Sequence, residues 1–222
     1  AAGKPGKLEA GRDAFVARQA NKVFTLSNSM RAELVERGID RERIELVPNG
    51  VSELPEIKSP DPELRETLGI QDGDKVIGYI GSFSPYEGLD VLIQACDQLV
   101  KKGEQIKLLL VGDNQPVIKA MNVSSNVTAK PWLIQVGRVP HEEIADYYGL
   151  IDTVVIPRKK LPVCERVPPM KAAEALAYGK RLVVSDLGPL AEFATKHQGT
   201  VTFTSGDVSS LSAALSASMR CD

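Results

Sequence analysis

The sequence predicts an α/β fold in which a parallel sheet is flanked by helices. Short apolar runs alternate with segments whose apolar residues recur at helical spacing, and this alternation is typical of βαβ units. The chain has 222 residues, of which 43% are hydrophobic and 25% are charged, as in ordinary globular proteins. A chain of this length buries roughly 70% of the surface that its unfolded form exposes, which is enough for one sizeable core or two small ones.

The first part of the chain predicts a smaller unit ahead of the main sheet. Gly38 is placed to cap a helix, and the turn signal PNG ends at Gly50. Three prolines and several charges follow up to about Glu63, and this composition indicates a linker. The elements predicted before the linker are a helix over 8–19, a strand over 22–27, a helix over 28–36 and a strand over 44–48.

The pattern becomes regular after the linker and predicts six strands with a helix after each. The predicted strands cover 75–81, 106–112, 132–137, 152–157, 181–186 and 200–205. The predicted helices cover 88–102, a stretch from Pro116, 141–150, 168–179, 189–196 and 208–219. Parallel sheets bind ligands outside the carboxyl ends of their strands, so the loops after the strands are the places to look for a site. These loops are 81–87, 112–115, 137–140, 157–169 and 185–189.

Charge and composition exclude several classes of protein. The 27 basic and 29 acidic residues give a net charge of −2, which argues against nucleic acid as the main partner. No apolar run in the sequence approaches the roughly 18 residues of a membrane span. The cysteines are three and widely spaced, which argues against a disulfide framework and fits a reducing compartment. With only two histidines, the sequence offers little to a multi-histidine metal site, and we expect no metal.

The loop after the fourth predicted strand carries dense positive charge near a helix start. It reads PRKKLPVCERVPP, and the next predicted helix follows directly. Free N–H groups and partial positive charge at a helix N-terminus bind anions, and the planar fork of arginine matches phosphate. A diphosphate fits this loop, and a solvated basic loop without a ligand fits the spacing equally well. The cations are Arg158, Lys159, Lys160 and Arg166.

Glu174 and a glycine-rich loop are the other features that could carry a site. Glu174 lies about one and a half turns into a predicted helix, where a carboxylate can accept hydrogen bonds from vicinal hydroxyls such as those of a ribose. Pairing of an exposed Glu174 with Lys171 is the simpler interpretation, and the spacing alone favours it. The loop GYIGSFSPYEGLD over 78–90 allows close backbone approach to a ligand, although a tight turn explains it as well. It matches neither the dinucleotide fingerprint nor the Walker loop.

Taken in order, seven segments resemble the retaining glycosyltransferases of the GT-B fold, specifically family 4 (glycosyl transferases group 1), which uses nucleotide-sugar donors. They cover about residues 20–195 in the expected order, and that ordered series is far more specific than any single motif. The segments are VFTLSNSMRAELVERGI, RIELVPNGV, IGYIGSFSPYEGLDVLIQA, LLLVGD, VGRVPHEEIADYYGLID, VVIPRKK and VPPMKAAEALAYGKRLVVSDLGPLAEF.

The resemblance implies a two-domain enzyme whose cleft separates two Rossmann-like domains, an N-terminal one for the acceptor and a C-terminal one for the donor. Residues 1–55 resemble the interdomain segment with a remnant of the N-terminal domain, and residues 56–222 resemble the nucleotide-sugar domain. We therefore expect a missing acceptor domain, and a chain that on its own binds nucleotide weakly and transfers nothing. The implied location is cytoplasmic, with peripheral membrane docking of the intact enzyme.

The donor site departs from the family pattern at several positions. Family members carry two glutamates separated by seven residues; Glu174 matches the second, which is expected to bind the ribose, and the first falls on Arg166. The usual arginine and lysine of the first glycine loop, which support the diphosphate, fall on Ser82 and Glu87. A subgroup with YEGL in this loop resembles the present sequence and offers replacement cations. These are Arg158 and Lys171.

The resemblance thus implies a set of site residues, with the nucleotide diphosphate sugar as donor substrate and no separate cofactor. The loop 137–139 matches the segment that contacts the nucleotide base, largely through its backbone. The implied catalytic residues are Glu174, Arg158 and Lys171. The implied donor-binding residues are Gly81, Ser82, Gly112, Gly137, Arg138, Val139, Arg166, Met170, Lys171 and Glu174.

Two functional interpretations stay open at this point. The first is the donor domain of a glycosyltransferase of polysaccharide or glycolipid synthesis, and the coherent basic loop with Glu174 favours it. The second is a non-catalytic nucleotide-binding or assembly module of the same origin, which the departures at Ser82 and Arg166 favour. A nicotinamide oxidoreductase shares the sheet but would need the glycine fingerprint, and a two-domain epimerase would need acid–base groups that two histidines supply poorly.

Overall fold

The computed structural model describes residues 7–51, 53–114 and 130–220, with side chains from residue 13 onward. The strands are β1 Val23–Thr25, β2 Ile44–Leu46, β3 Lys75–Gly81, β4 Ile106–Gly112, β5 Leu133–Val136, β6 Thr153–Ile156, β7 Arg181–Ser185 and β8 Thr200–Phe203. The helices are α1 Lys7–Gln19, α2 Asn28–Glu36, α3 Pro62–Thr67, α4 Leu89–Lys101, α5 Ile144–Leu150, α6 Pro162–Arg166, α7 Met170–Ala177, α8 Gly188–Lys196 and α9 Val208–Arg220.

Among the described residues, six strands form one parallel sheet in the order β5-β4-β3-β6-β7-β8. The predicted Rossmann-like parallel sheet is therefore confirmed, and all six predicted strands are present. The chain leaves β3 toward β4 on one side and returns to β6 on the other side, so the direction of the strand order reverses between β3 and β6. In open α/β sheets such a reversal opens a crevice outside the strand ends, where ligands bind.

Helices cover both faces of this sheet, which explains why its strands are apolar along their length. On one face α4 and α9 bury side chains such as Leu92 and Leu211. On the other face α5 and α7 bury Tyr148 and Ala175. Full burial of a leucine stabilises the fold by roughly 1.5–3 kcal/mol, so the two layers hold the strand ends in fixed positions.

The N-terminal segment contacts the main unit through polar side chains. Its two short strands, β1 and β2, pair in parallel with each other. The Ser27 hydroxyl donates to the carbonyl of Arg166 at 2.5 Å, and the Asn49 amide donates to the carbonyl of Pro168 at 3.0 Å. These bonds place the segment beside the start of α7, at the same end of the sheet as the strand termini.

Three predicted elements need comment. The linker expected up to about Glu63 ends earlier, because Asp61 caps α3 by accepting from the Glu63 N–H at 2.9 Å and proline occupies its first turn. The basic loop expected over 157–169 contains α6, a single short helix that also begins at a proline. The helix predicted from Pro116 lies outside the described residues.

No helix in the described part of the chain is both long enough and apolar enough to cross a membrane.

Candidate functional site

The carboxyl ends of β3 and β4 border a cavity of about 330 Å³, called here the strand-end cavity. It opens at the edge of the sheet where the sequence places the glycine loops. Five of the donor-binding residues implied by the sequence line it: Gly81, Ser82, Gly112, Arg138 and Val139. The other lining residues are Ile80, Val111, Asp113 and Ile144.

Glycine is required where β3 and β4 end. A Cβ on Gly112 would lie 1.9 Å from the carbonyl oxygen of Gly81, so only glycine allows this approach. Gly81 has φ +146°, and a Cβ there would lie 2.3 Å from Cε of Lys171. The absence of a Cβ at Gly81, which lines the cavity, leaves room for the Lys171 side chain at the end of β3.

An ion pair and a backbone hydrogen bond close one wall of the cavity. The Asp113 carboxylate accepts from the Phe83 N–H at 2.9 Å and from Nη2 of Arg138 at 2.9 Å, and both interactions hold the pKa of Asp113 below its usual range. The Arg138 N–H donates to the Asn114 side chain at 2.8 Å. A ligand that accepts a hydrogen bond from this N–H would therefore have to displace Asn114 from it.

A buried ion cluster lies beside the cavity, at the reversal between β3 and β6. The Glu87 side chain is 2% exposed, and its Oε1 lies 2.9 Å from Nζ of Lys171 and 3.2 Å from Nη2 of Arg158. Arg158 also donates through Nη1 to the carbonyl of Val167 at 3.0 Å. A cation from the loop after β6 and a cation from α7 thus share one carboxylate, which makes a buried arrangement of these charges possible.

Within this cluster Lys171 is the cation nearer the cavity. Its Nζ lies 5.0 Å above the Tyr79 ring, and its side chain crosses the end of β3 at Gly81. Burial lowers the pKa of Lys171, and the nearby Glu87 carboxylate opposes that effect. Arg158 is 9% exposed, and its guanidinium contacts Glu87 and the carbonyl of Val167.

Glu174 lies one helical turn beyond Lys171 on α7 and is half-buried. Burial is the main cause of the raised pKa of Tyr148 and of Tyr178, and the negative charge of Glu174 raises both further. The two tyrosine rings stack at a centroid distance of 4.1 Å. Lys171 forms its ion pair with Glu87 at 2.9 Å, so the simple pairing of Glu174 with Lys171 does not describe the structure. Arg158, Lys171 and Glu174 thus belong to one neighbourhood.

The other predicted cations point elsewhere, which corrects the expectation that the basic loop gathers four of them. The short helix α6 turns Arg166 toward α2, where its Nε lies 2.5 Å from Oε2 of Glu33. Lys159 pairs with Asp90 at 2.7 Å, and Lys160 is exposed. Met170 begins α7 and is 43% exposed.

Sequence reasoning missed several residues near these groups. At the sequence level Glu87 counted only as the loss of the lysine usual in the family. Its negative charge, opposite to that of the two replacement cations, Arg158 and Lys171, is what lets it pair with both. A second cavity of about 220 Å³ lies between the N-terminal segment and α7 and α8, and no prediction covered it. Its polar and aromatic lining includes Ser27, Asn49, Glu192, Phe193, Lys196 and His197.

Among the residues that the structure describes, no group of three or more histidine, cysteine or acidic side chains is arranged to hold a metal ion. Cys96 and Cys164, the two cysteines described, are buried and free. Burial raises the pKa of both thiols, so neither is a reactive thiolate at neutral pH.

The fold is that of the GT-B glycosyltransferases. A sucrose-phosphate synthase from Thermosynechococcus elongatus superposes with a TM-score of 0.77 at 21% identity, over 99% of this chain and 55% of that one. The Anabaena protein HepE, solved in complex with UDP and glucose, superposes with a TM-score of 0.79 at 20% identity, over 97% of this chain and 58% of that one.

The chain belongs to the family Glycosyl transferases group 1, which matches residues 60–222. A lipopolysaccharide 1,2-N-acetylglucosaminetransferase from Salmonella typhimurium is 29% identical, with 78% of this chain and 46% of the relative covered. A D-inositol 3-phosphate glycosyltransferase from Nocardia farcinica is 25% identical, with 85% and 42% covered. The chain thus spans less than half the length of these relatives.

Proposed function

We propose that this chain is the donor-binding part of a retaining glycosyltransferase, which moves a sugar from a nucleotide diphosphate sugar to an acceptor. The observation that carries the proposal is the position of Lys171 and Glu174 on one helix beside the strand-end cavity, at the point where the strand order reverses. The family match and the UDP complex of HepE support this choice of ligand.

The donor fits the site in three parts. The diphosphate occupies the space at Gly81, where the Lys171 ammonium and the first turn of α7 meet. No side chain within the described residues caps this turn, so its N–H groups are available to an anion. The ribose hydroxyls donate to Glu174, and the base lies in the strand-end cavity against Val139.

In this arrangement the chain contributes to catalysis by stabilising the leaving group. Negative charge grows on the diphosphate as its bond to the sugar breaks, and preorganised cations and N–H groups stabilise that charge. Lys171 and Glu174 touch the donor in this proposal, and Arg158 is a positioning residue that acts through Glu87. This mode of stabilisation uses protein groups and assigns no step to a metal ion.

The acceptor and its catalytic contacts belong, in this proposal, to the rest of the protein. The names of the relatives point to lipopolysaccharide and inositol phosphate acceptors for those proteins. We infer a polysaccharide or glycolipid acceptor for the present one, at the cytoplasmic face of a membrane. The chain on its own then binds donor but transfers no sugar.

A non-catalytic nucleotide-binding module is the second candidate. The position of Arg166, which pairs with Glu33 instead of facing the cavity, favours it, because the family has a sugar-contacting glutamate there. Both candidates predict nucleotide binding, but only the enzyme also holds the sugar of the donor in place. An ordered sugar in a structure with a nucleotide sugar distinguishes the enzyme from the module.

A thermal-shift screen with UDP, GDP, ADP and their sugars tests the proposal, because a ligand that binds only the folded form raises the melting temperature. We expect one nucleotide diphosphate to raise it and inorganic diphosphate at the same concentration to do so much less. If no nucleotide raised the melting temperature, both candidate functions would be wrong.

A further inference from the structure

We propose that Glu87 is a positioning residue of the donor site, whose buried carboxylate holds the Lys171 ammonium at Gly81 while Arg158 holds that carboxylate in turn. This inference rests on the proposed function, because it concerns how the same site receives a diphosphate. It assigns a role to a residue that would otherwise count only as the loss of a cation.

The backbone around Glu87 is fixed. Glu87 ends a helical turn over Pro85–Glu87, and the next residue, Gly88, has φ +74°. A Cβ on Gly88 would lie 1.9 Å from the carbonyl oxygen of Pro157, and the Lys159 N–H donates to the Tyr86 carbonyl at 2.9 Å. The loop that follows β3 is therefore locked against the loop that follows β6, with the carboxylate between them.

Two cations contact the carboxylate. Its Oε1 lies 2.9 Å from Nζ of Lys171 and 3.2 Å from Nη2 of Arg158. Its Oε2 is buried and has no hydrogen-bond partner among the described residues, and the same holds for Nε of Arg158. A buried carboxylate is costly unless cations compensate it, so Glu87 and its two cations form one unit.

The net positive charge of this unit is available to attract an anionic ligand. One carboxylate and two cations sum to a single positive charge, and Lys171 presents it at the end of β3 beside the strand-end cavity. The groups that face the Lys171 ammonium are Glu87, Arg158, Glu174 and the ring of Tyr79. Burial and the Arg158 charge lower the pKa of Lys171, whereas the two carboxylates raise it. Glu87 therefore keeps the ammonium charged as well as in place.

The direction in which UDP affinity changes in Glu87→Gln distinguishes a positioning role of Glu87 from simple electrostatic repulsion of the diphosphate. A carboxylate near a diphosphate repels it, so simple Coulomb attraction predicts that Glu87→Gln binds UDP more tightly. Positioning predicts the opposite, because Lys171 and Arg158 then repel each other and Lys171 loses its place and part of its charge. We expect UDP affinity to fall about tenfold in Glu87→Gln, the loss of one charge-assisted contact.

Asp90→Asn supplies a matched control. Asp90 lies in the first turn of α4, three residues after Glu87, and it pairs with a lysine of the basic loop, Lys159, at 2.7 Å. Both substitutions remove one negative charge from the same region, but only Glu87 contacts Lys171. Calorimetric titration with UDP should show the loss in Glu87→Gln and none in Asp90→Asn. Equal or tighter binding by Glu87→Gln would overturn the proposal.

A second readout needs no nucleotide. In protein labelled with ¹³C at lysine Cε, Lys171 is identified by the resonance that disappears in Lys171→Arg. Glu87→Gln should lower the pH midpoint of that resonance, and Asp90→Asn should leave it in place; an unchanged midpoint in Glu87→Gln would contradict the proposal. Glu87→Asp keeps the charge but withdraws it by one methylene, so it should give an intermediate midpoint if Glu87→Gln does not fold. If Glu87→Gln lowered the pH midpoint of the Lys171 resonance but the chain bound no nucleotide, the positioning of Lys171 by Glu87 would hold and the proposed function would be refuted.

Discussion

Replacement of Lys171 by methionine tests the diphosphate site directly. Lys171 supplies the ammonium nearest the strand-end cavity, and a charge-assisted hydrogen bond contributes about 1.5–3 kcal/mol. Loss of that contact should raise the dissociation constant of UDP roughly ten- to a hundredfold. The variant should still fold, because Arg158 continues to neutralise Glu87 and methionine fills a similar volume.

The control for this experiment is Lys159→Met. Lys159 lies on the basic loop and is also ion-paired, with Asp90 at 2.7 Å, so the change in net charge is the same. Calorimetric titration should show unchanged UDP affinity for Lys159→Met. The reasoning would be refuted if Lys171→Met bound UDP as well as the original chain, or if Lys159→Met lost as much affinity.

The pH dependence of UDP binding supplies a signature of the same group. Burial lowers the pKa of Lys171 below its ordinary value of about 10.4. UDP binds the charged form, so affinity is full below the pKa of Lys171 in the free protein and falls as pH rises through it. The decline should therefore begin below the pH at which an exposed lysine titrates, and it should be absent in Lys171→Met.

Three further substitutions test other parts of the account. Glu174→Gln should weaken UDP about tenfold and abolish any preference for UDP over 2′-deoxy-UDP in titration, because the amide is a weaker acceptor for the ribose hydroxyls; a preserved preference would remove Glu174 from the ribose. Arg158→Ala should weaken UDP by roughly ten- to a hundredfold and also lower the melting temperature, because it leaves a buried carboxylate with one cation fewer; unchanged calorimetric affinity would remove Arg158 from the site. Gly88→Ala should destabilise the chain by more than the roughly 1–2 kcal/mol of left-handed strain, since its Cβ would meet the Pro157 carbonyl oxygen at 1.9 Å. Gly103 also has a positive φ, +88°, but a Cβ there would meet no atom within 4 Å, so Gly103→Ala measures the backbone strain alone. Equal losses of unfolding free energy for the two variants in denaturant unfolding would contradict the clash at Gly88.

The main sheet could be predicted from the sequence because its strands are short, apolar and separated by periodic helices. The run LLLV within β4 is buried on both faces, and no charged residue interrupts it. The two helices that were missed, α3 and α6, are short and begin at Pro62 and Pro162. Their prolines and charges resemble loop composition, although Asp61 before Pro62 is a recognisable helix start.

The site could be predicted only in part. Spacing along one helix sets Lys171 and Glu174 one turn apart, and the strand-end rule places the glycine loops at a common edge. The pairing of Glu87 with Lys171 joins the loop after β3 to α7, and these meet only in the folded sheet, so spacing could not supply it. The departure of Arg166 toward Glu33 depends equally on how α6 packs against the N-terminal segment.

A crystal structure of the chain with UDP tests the central claim most directly. The account predicts the diphosphate within hydrogen-bond distance of Nζ of Lys171 at the end of β3, with the ribose on Glu174 and the base in the strand-end cavity. UDP bound instead in the cavity between the N-terminal segment, α7 and α8, or bound with its diphosphate away from Lys171, would contradict it.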